Sequence, residues 1–196
     1  MSPLRSQLHP LLLDRWSPRA FSDRSVTSAT LATLLEAARW APSCYNDQPW
    51  NFIVARREDA SSYQNVFDCL VPQNQAWART APVLMLAVAR LHFAHNATLN
   101  RHAWYDLGLA VANLIVQATH LQLSVHQMAG FDPEEARRRC EIPAGFEPAV
   151  AIALGYRGDP SRLPAGVAEK DPALRERHEV TTFAFAGRWG VPFTAL

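Results

Sequence analysis

Glu36-Ala37-Ala38-Arg39-Trp40-Ala41-Pro42-Ser43-Cys44-Tyr45-Asn46-Asp47-Gln48-Pro49-Trp50-Asn51-Phe52 reads as the end of a helix, a stiff loop and the start of a strand. Leu31, Leu34, Leu35 and Ala38 recur at helical spacing, and Thr27 is placed to cap a helix that runs to about Trp40. Pro42 ends that helix, because proline has no amide hydrogen to continue it. The loop 43–48 then leads to a predicted strand over 51–55. The loop is dense in side chains that both donate and accept, namely Ser43, Asn46 and Gln48, and prolines stiffen its ends. Such a loop beside an aromatic residue suits a flat heterocycle with alternating donors and acceptors. It equally suits a loop that satisfies its own backbone.

Upstream, Leu4, Leu8, Leu11 and Leu12 predict a short amphipathic helix over 4–14. It is followed by Arg15-Trp16-Ser17-Pro18-Arg19, held extended because the residue before a proline is pushed out of helical geometry. Two guanidinium groups and a hydroxyl in five residues form a donor array that suits a phosphate. A solvated basic turn is the alternative.

Downstream, residues 59–79 read as helical with a break at Pro72. The apolar run 82–89 suits a strand covered on both faces. A polar loop, 91–101, precedes the longest predicted helix, 102–122, whose stripe is Leu107, Val111, Leu114, Ala118 and Leu121. A short strand over 124–128 leads to Gly130. Asp132-Pro133-Glu134-Glu135 then opens a helix, with a capping aspartate, a proline at the first position and acids at the positive end. Residues 149–154 form another apolar strand, 157–174 a Pro- and Gly-rich surface linker, and the tail 179–196 carries Phe183, Phe185, Trp189 and Phe193. Apolar strands interleaved with helices, without clean βαβ alternation, predict an α+β fold. Its layers are α/β/α, with a central mixed sheet covered by helices on both faces, in a single domain over 1–196.

The 196 residues are 48% hydrophobic and 19% charged, with a net charge of +1. That composition gives a globular core and no global field to draw the chain to nucleic acid or an anionic membrane. Three widely spaced cysteines, Cys44, Cys69 and Cys140, argue against a disulfide framework or a zinc knuckle and fit a reducing cytoplasm. No signal peptide and no apolar run of membrane-spanning length stand out, so a cytoplasmic protein is expected. The first glycine is Gly108, and no GxGxxG or GxxxxGK[ST] follows it, so a conventional Rossmann fingerprint and a P-loop are excluded. HExxH, GxSxG and EF-hand patterns are absent as well. His92, His95 and His102 lie in a polar stretch without a cysteine or carboxylate ligand and read as solvated, so no metal is expected. Cys44 reads as a small packed residue rather than a nucleophile.

Taken together, Arg15-Trp16-Ser17-Pro18-Arg19-Ala20-Phe21 and the stretch from Glu36 to Phe52 resemble the nitroreductase family of FMN-dependent oxidoreductases. The family pattern is roughly RRSxRxF followed by EAAxxAPSxxNxQPWxF. Asn74 to Trp77, Asp106-Leu107-Gly108, Met128-Ala129-Gly130-Phe131-Asp132 and the strand end at Tyr156 resemble later family segments. The likeness implies an intertwined homodimer, with residues 179–196 as a C-terminal tail wrapping the partner. It implies that Arg15, Ser17 and Arg19 bind the FMN phosphate and ribityl chain. Trp16 stands where the family usually has Arg or His, so only its backbone contact carries over. Pro42, Ser43, Asn46 and Gln48 match a loop that meets the flavin of the other subunit. Asn74 matches a position near the flavin or its ribityl chain. Met128, Ala129 and Gly130 match the turn whose backbone amides face the flavin edge near N5. Arg175 and Arg177 match a basic pair that closes on the phosphate. No catalytic side chain is implied, since the hydride chemistry belongs to the flavin. The activity implied is a ping-pong transfer of hydride from NADH or NADPH to a nitroaromatic, quinone or similar electron-poor small molecule. A dehalogenase-like or flavin-fragmenting relative, and a flavin-binding module without turnover, are the other readings.

Overall fold

The computed structural model describes residues 6–170 and 172–193. In chain order its elements are α1 (Pro10–Asp14), α2 (Ser28–Arg39), β1 (Trp50–Arg56), α3 (Ala60–Asp68), α4 (Pro72–Ala78), β2 (Val83–Arg90), α5 (Ala103–His120), β3 (Leu123–Met128), α6 (Pro133–Arg139) and β4 (Phe146–Tyr156). The sequence signals for starts and stops are met. Thr27 Oγ1 accepts from the Thr30 amide at 3.1 Å, Pro72 opens α4, and Asp132 accepts from the Glu134 and Glu135 amides.

Helix α1 is shorter than the expected 4–14. Pro10 stands at its first turn and His9 before it is non-helical, so the chain ahead of Pro10 does not continue the helix. Leu4 lies outside the described residues.

The sheet has the order β1-β2-β4-β3. Its strand pairs are antiparallel throughout the described residues, with Trp50 opposite Ala89, Val83 opposite Leu154 and Leu123 opposite Tyr156. The expected mixed sheet is corrected on this point. Strands β2 and β3 do run in the same direction, as a crossover through α5 requires. Strand β4 is inserted between them and pairs antiparallel with both.

Alternation along β2 divides the core into two layers. Val83, Met85 and Ala87 face α2 and α5, packing with Leu31, Leu34, Leu107, Val111 and Leu114. Leu84, Leu86 and Val88 face the other way, against Tyr63, Val66, Trp77 and Ala136. Each fully buried leucine contributes roughly 1.5–3 kcal/mol. Helices therefore cover both faces of the sheet, as expected. Strand β4 needs a glycine where it passes Pro82, since a Cβ on Gly155 would come within 2.5 Å of the Pro82 ring.

Beyond β4 the chain is irregular, with short 3-10 turns at Pro160–Arg162, Pro172–Leu174 and Val180–Thr182. Phe183 and Trp189 in the tail are 64% and 89% exposed within the single chain. No helix among the described residues is long and apolar enough to cross a membrane.

Candidate functional site

The extended segment after α1 is fastened to the sheet from below. Pro18 is buried, and its carbonyl is 2.8 Å from His126 Nδ1 on β3. The His126 ring lies against Trp77, with centroids 4.4 Å apart. Ala20 and Phe21 are buried, and the Ser22 amide donates to Tyr156 O at 2.9 Å. This anchoring holds Arg15, Trp16, Ser17 and Arg19 half-buried at the surface.

Arg15 Nη1 donates to Ser17 Oγ at 3.0 Å. Arg175 reaches back and donates to the carbonyls of Arg15 and Leu13 at 2.5 and 2.7 Å. Burial lowers the Arg15 pKa below its ordinary value, and the nearby charges of Arg175 and Arg177 lower it further. Arg15, Trp16, Arg157 and Arg175 line one cleft of about 280 Å³. Arg19 Nη1 donates to Ala168 O at 2.8 Å.

One partner of this segment was missed in the sequence. The Glu169 carboxylate accepts from the backbone amides of Arg19 and Ala20 at 2.7 and 3.0 Å, and from Trp16 Nε1 at 3.3 Å. The amides of residues 19 and 20 thus already hold an anionic group, and Trp16 uses its side chain to do so. Glu169 lies in the stretch read as a surface linker, and no local signal marks it.

His126 lies beneath the cluster. Burial lowers its pKa, the Pro18 carbonyl opposes that, Arg19 and Arg15 add to the lowering, and Glu169 opposes it. With a folded pKa below the unfolded value of about 6.5, the unfolded chain binds the proton more readily. Stability therefore falls as pH drops below about 6.5 towards the folded pKa, by at most about 1.4 kcal/mol per pH unit for one proton. Thermal melts between about pH 7 and 5 check this, and His126→Phe is expected to flatten that slope.

The loop 43–48 is held by other elements. Tyr45, Asn46 and Gln48 have φ of 53°, 55° and 50°, the left-handed region that non-glycine residues enter at a cost. Such strain persists only where surroundings over-determine it. Here the Gln48 amide donates to Ser43 Oγ at 3.0 Å, and Gln48 Nε2 donates to Asn46 O at 3.1 Å. The Cys44 amide donates to the buried Asp106 on α5 at 3.0 Å.

Asp47, passed over in the sequence, is the main anchor. Its carboxylate accepts from Arg90 Nη2 and the Ala94 amide, both at 2.8 Å, and its side chain is only 2% exposed. Burial raises the Asp47 pKa, but the Ala94 amide, Arg90 and Asn100 outweigh it and hold the carboxyl below its ordinary value. Pro42, Tyr45, Asn46 and Gln48 remain exposed. Within one chain, no hydrogen bond joins this loop to the Arg15 cluster among the described residues.

A third element is the turn after β3. Gly130 O accepts from Asn74 Nδ2 at 2.9 Å and from the Val71 amide at 3.1 Å. A Cβ on Gly130 would come within 2.7 Å of Asn74 Nδ2 and 2.9 Å of Val71 Cγ2, so a larger residue would push these side chains aside. Asn74 here supports the turn. Met128 is in the core, whereas Ala129 is exposed.

His95 lies against Phe93 and Tyr45, with centroids 5.3 and 6.0 Å away. No group of three or more His, Cys, Asp or Glu among the described residues is placed to hold a metal.

The donor set around Arg15 fits a phosphate. Burial first, and then the charges of Arg175 and Arg177, depress the Arg15 pKa, and a bound anion would offset both. The exposed amide-bearing loop fits a polar heterocycle edge.

A model of the nitroreductase family matches residues 12–156. An Archaeoglobus fulgidus protein, provisionally named NADH dehydrogenase/NAD(P)H nitroreductase, is 44% identical over 158 residues, covering 76% of this chain and 84% of that protein. An uncharacterised 15.4 kDa protein of Mycolicibacterium smegmatis is 34% identical over 147 residues, covering 72% of this chain and 98% of its own. The crystal structure of an oxidoreductase containing FMN superposes with a TM-score of 0.84 at 35% identity, covering 94% of this chain and 93% of that one.

Proposed function

The chain belongs to the nitroreductase family, and from that premise we propose that it is an FMN-dependent oxidoreductase carrying hydride from NADH or NADPH to an electron-poor organic acceptor. The observation that carries this reading is the convergence of Arg15, Ser17 and Arg175 on one half-buried site, with the charge of exposed Arg177 nearby. The name of the similar FMN-containing structure supports the same cofactor.

Arg15 and Ser17 would hold the phosphate, with Arg19, Arg175 and Arg177 adding charge. The backbone of Ala129 and Gly130 would face the ring system, with Asn74 fixing the turn behind it. Bound FMN would supply a two-electron carrier at N5, and no side-chain nucleophile or metal is needed. The protein's contribution is position, polarity and exclusion of water. A ping-pong cycle follows if co-substrate and acceptor use one slot in turn.

The slot is completed by a second copy. Pro42, Asn46 and Gln48 are exposed and Ser43 is half-buried, and among the described residues none of them is hydrogen-bonded to the Arg15 cluster of its own chain. Helix α5 also presents an uncovered apolar face, with Tyr105 68% and Val116 39% exposed, and Gly108 and Ala112 between them. Such a face suits a homodimer contact. The exposed aromatic tail would wrap the partner.

The test uses the purified protein. It is expected to be yellow, to sediment at twice the chain mass, to bleach anaerobically with NADH or NADPH, and to regain its colour with a quinone or nitroaromatic. A colourless preparation that refuses added FMN overturns the reading, as does a monomer that retains flavin.

A further inference from the structure

The stretch 157–169, expected as a surface linker, wraps the segment that carries Arg19. Leu163 and Val167 pack partly buried against the apolar cluster of Tyr63, Val66 and Trp77. The amides of these two residues donate to Pro160 O and Pro164 O, which fixes the course of the chain between them. At one end the Gly158 amide donates to Ala20 O at 2.9 Å. At the other, Glu169 Oε2 accepts from the Arg19 and Ala20 amides at 2.7 and 3.0 Å, and Oε1 from Trp16 Nε1 at 3.3 Å. Neither amide belongs to a helix or a strand ladder, and Glu169 is the acceptor they share among the described residues. Ala20 is 4% exposed, so water has little access to its amide. A buried N–H without an acceptor carries the full cost of its lost hydration. Two successive N–H groups aimed at one oxygen form an anion-binding concavity.

We propose that the Arg19 and Ala20 amides, with Trp16 Nε1, are a carboxylate-binding site that Glu169 fills from within the chain, and that Glu169 is thereby the positioning residue of the phosphate-fitting segment.

Filling the site sets the backbone on which Arg19 stands, and Arg19 Nη1 is held by the adjoining carbonyl of Ala168 at 2.8 Å. It also holds the indole of Trp16, a residue that lines the cleft with Arg15 and Arg175. The sign of the effect separates this role from a direct one. A carboxylate near a phosphate repels it, so by charge alone the loss of Glu169 would strengthen phosphate binding. The loss of a positioning group weakens it, because the segment is no longer held. The effect on FMN rests on the flavin reading; occupation of the site does not.

The experiment compares full-length wild type, Glu169→Ala and Glu169→Gln, first as apoprotein. Glu169→Ala removes the carboxylate with one methylene, and acetate brings the same group back. The melting temperature of this variant is expected to fall by about 5 °C, and its Arg19 and Ala20 amides to exchange faster with deuterium. Sodium acetate restores both, and sodium chloride at equal ionic strength restores neither. The wild type, whose site is filled, responds to neither salt. Glu169→Gln keeps an oxygen for the two amides without the charge and needs no acetate. With flavins, Glu169→Ala is expected to bind FMN about tenfold more weakly and riboflavin unchanged, with acetate recovering the loss, while Glu169→Gln stays within about threefold of the wild type. A Glu169→Ala protein whose two amides stay protected, or which acetate does not restore, overturns the site. FMN bound more tightly by Glu169→Ala, or riboflavin weakened in equal measure, overturns the positioning role. A wild type that binds no flavin fails the flavin reading and with it the positioning role, whereas the acetate response still decides the site.

Discussion

Arg15→Ala is expected to weaken FMN binding about 100-fold. The guanidinium is steered by Ser17 Oγ and by Arg175, which grips the Arg15 carbonyl. Its lowered pKa, from burial and then from Arg175 and Arg177, marks a cluster short of negative charge. A phosphate supplies that charge. Two charge-assisted bonds at about 1.5 kcal/mol each amount to about 3 kcal/mol, or about two decades in affinity. Titration of apoprotein with FMN, followed by flavin fluorescence, measures the loss. Riboflavin, which lacks the phosphate, should bind the variant and the wild type alike. An equal loss for both ligands would show that Arg15 acts elsewhere. Arg19→Ala is expected to cost about tenfold, because that guanidinium is already engaged with Ala168 O.

Asp47→Ala is the substitution expected to damage the fold most. It removes the carboxylate that Arg90, the Ala94 amide and Asn100 share, and it leaves Arg90 without its ion partner. Breaking a buried pair from one side costs about 3–5 kcal/mol. For a chain of this size that is about 10 °C in Tm. Asp47→Asn keeps an acceptor for the Ala94 amide and should lose less. Because the Asp47 pKa is held below its ordinary value of about 3.9, its contribution is complete above that pH. It is lost as pH falls through the lower folded value. Thermal melts below about pH 4 should therefore show an acid step in the wild type that Asp47→Asn lacks. A melt unchanged by Asp47→Ala would show that the loop is held by other contacts.

Elements whose cause is local were legible in the sequence. The cap at Thr27, the stop at Pro42, the start at Asp132-Pro133 and the two-faced apolar run of β2 each act within a few residues. The residues of the phosphate-fitting cluster were legible for the same reason, since three of them share five positions. Long-range partners were not. Glu169 meets Arg19 and Ala20 across a separation of about 150 residues, and no pattern in the Pro- and Gly-containing stretch around it points to them. Asp47 stood inside the decisive stretch, but its value depends on Arg90 and Ala94 arriving from another loop. Asp106 was noticed only as part of a family-like triplet, and its bond to the Cys44 amide needs the folded chain. The sheet direction failed likewise, because the place of β4 between β2 and β3 is a property of the whole topology.

That placement bears on synthesis. The strand that fills the middle of the sheet is the last to leave the ribosome. Until residue 156 emerges, β2 has an open edge and one of the most apolar surfaces in the molecule, with only β1 beside it. Nascent chains in this interval expose an aggregation-prone template. A message truncated before Phe146 should yield inclusion bodies or proteolysis rather than a smaller working protein.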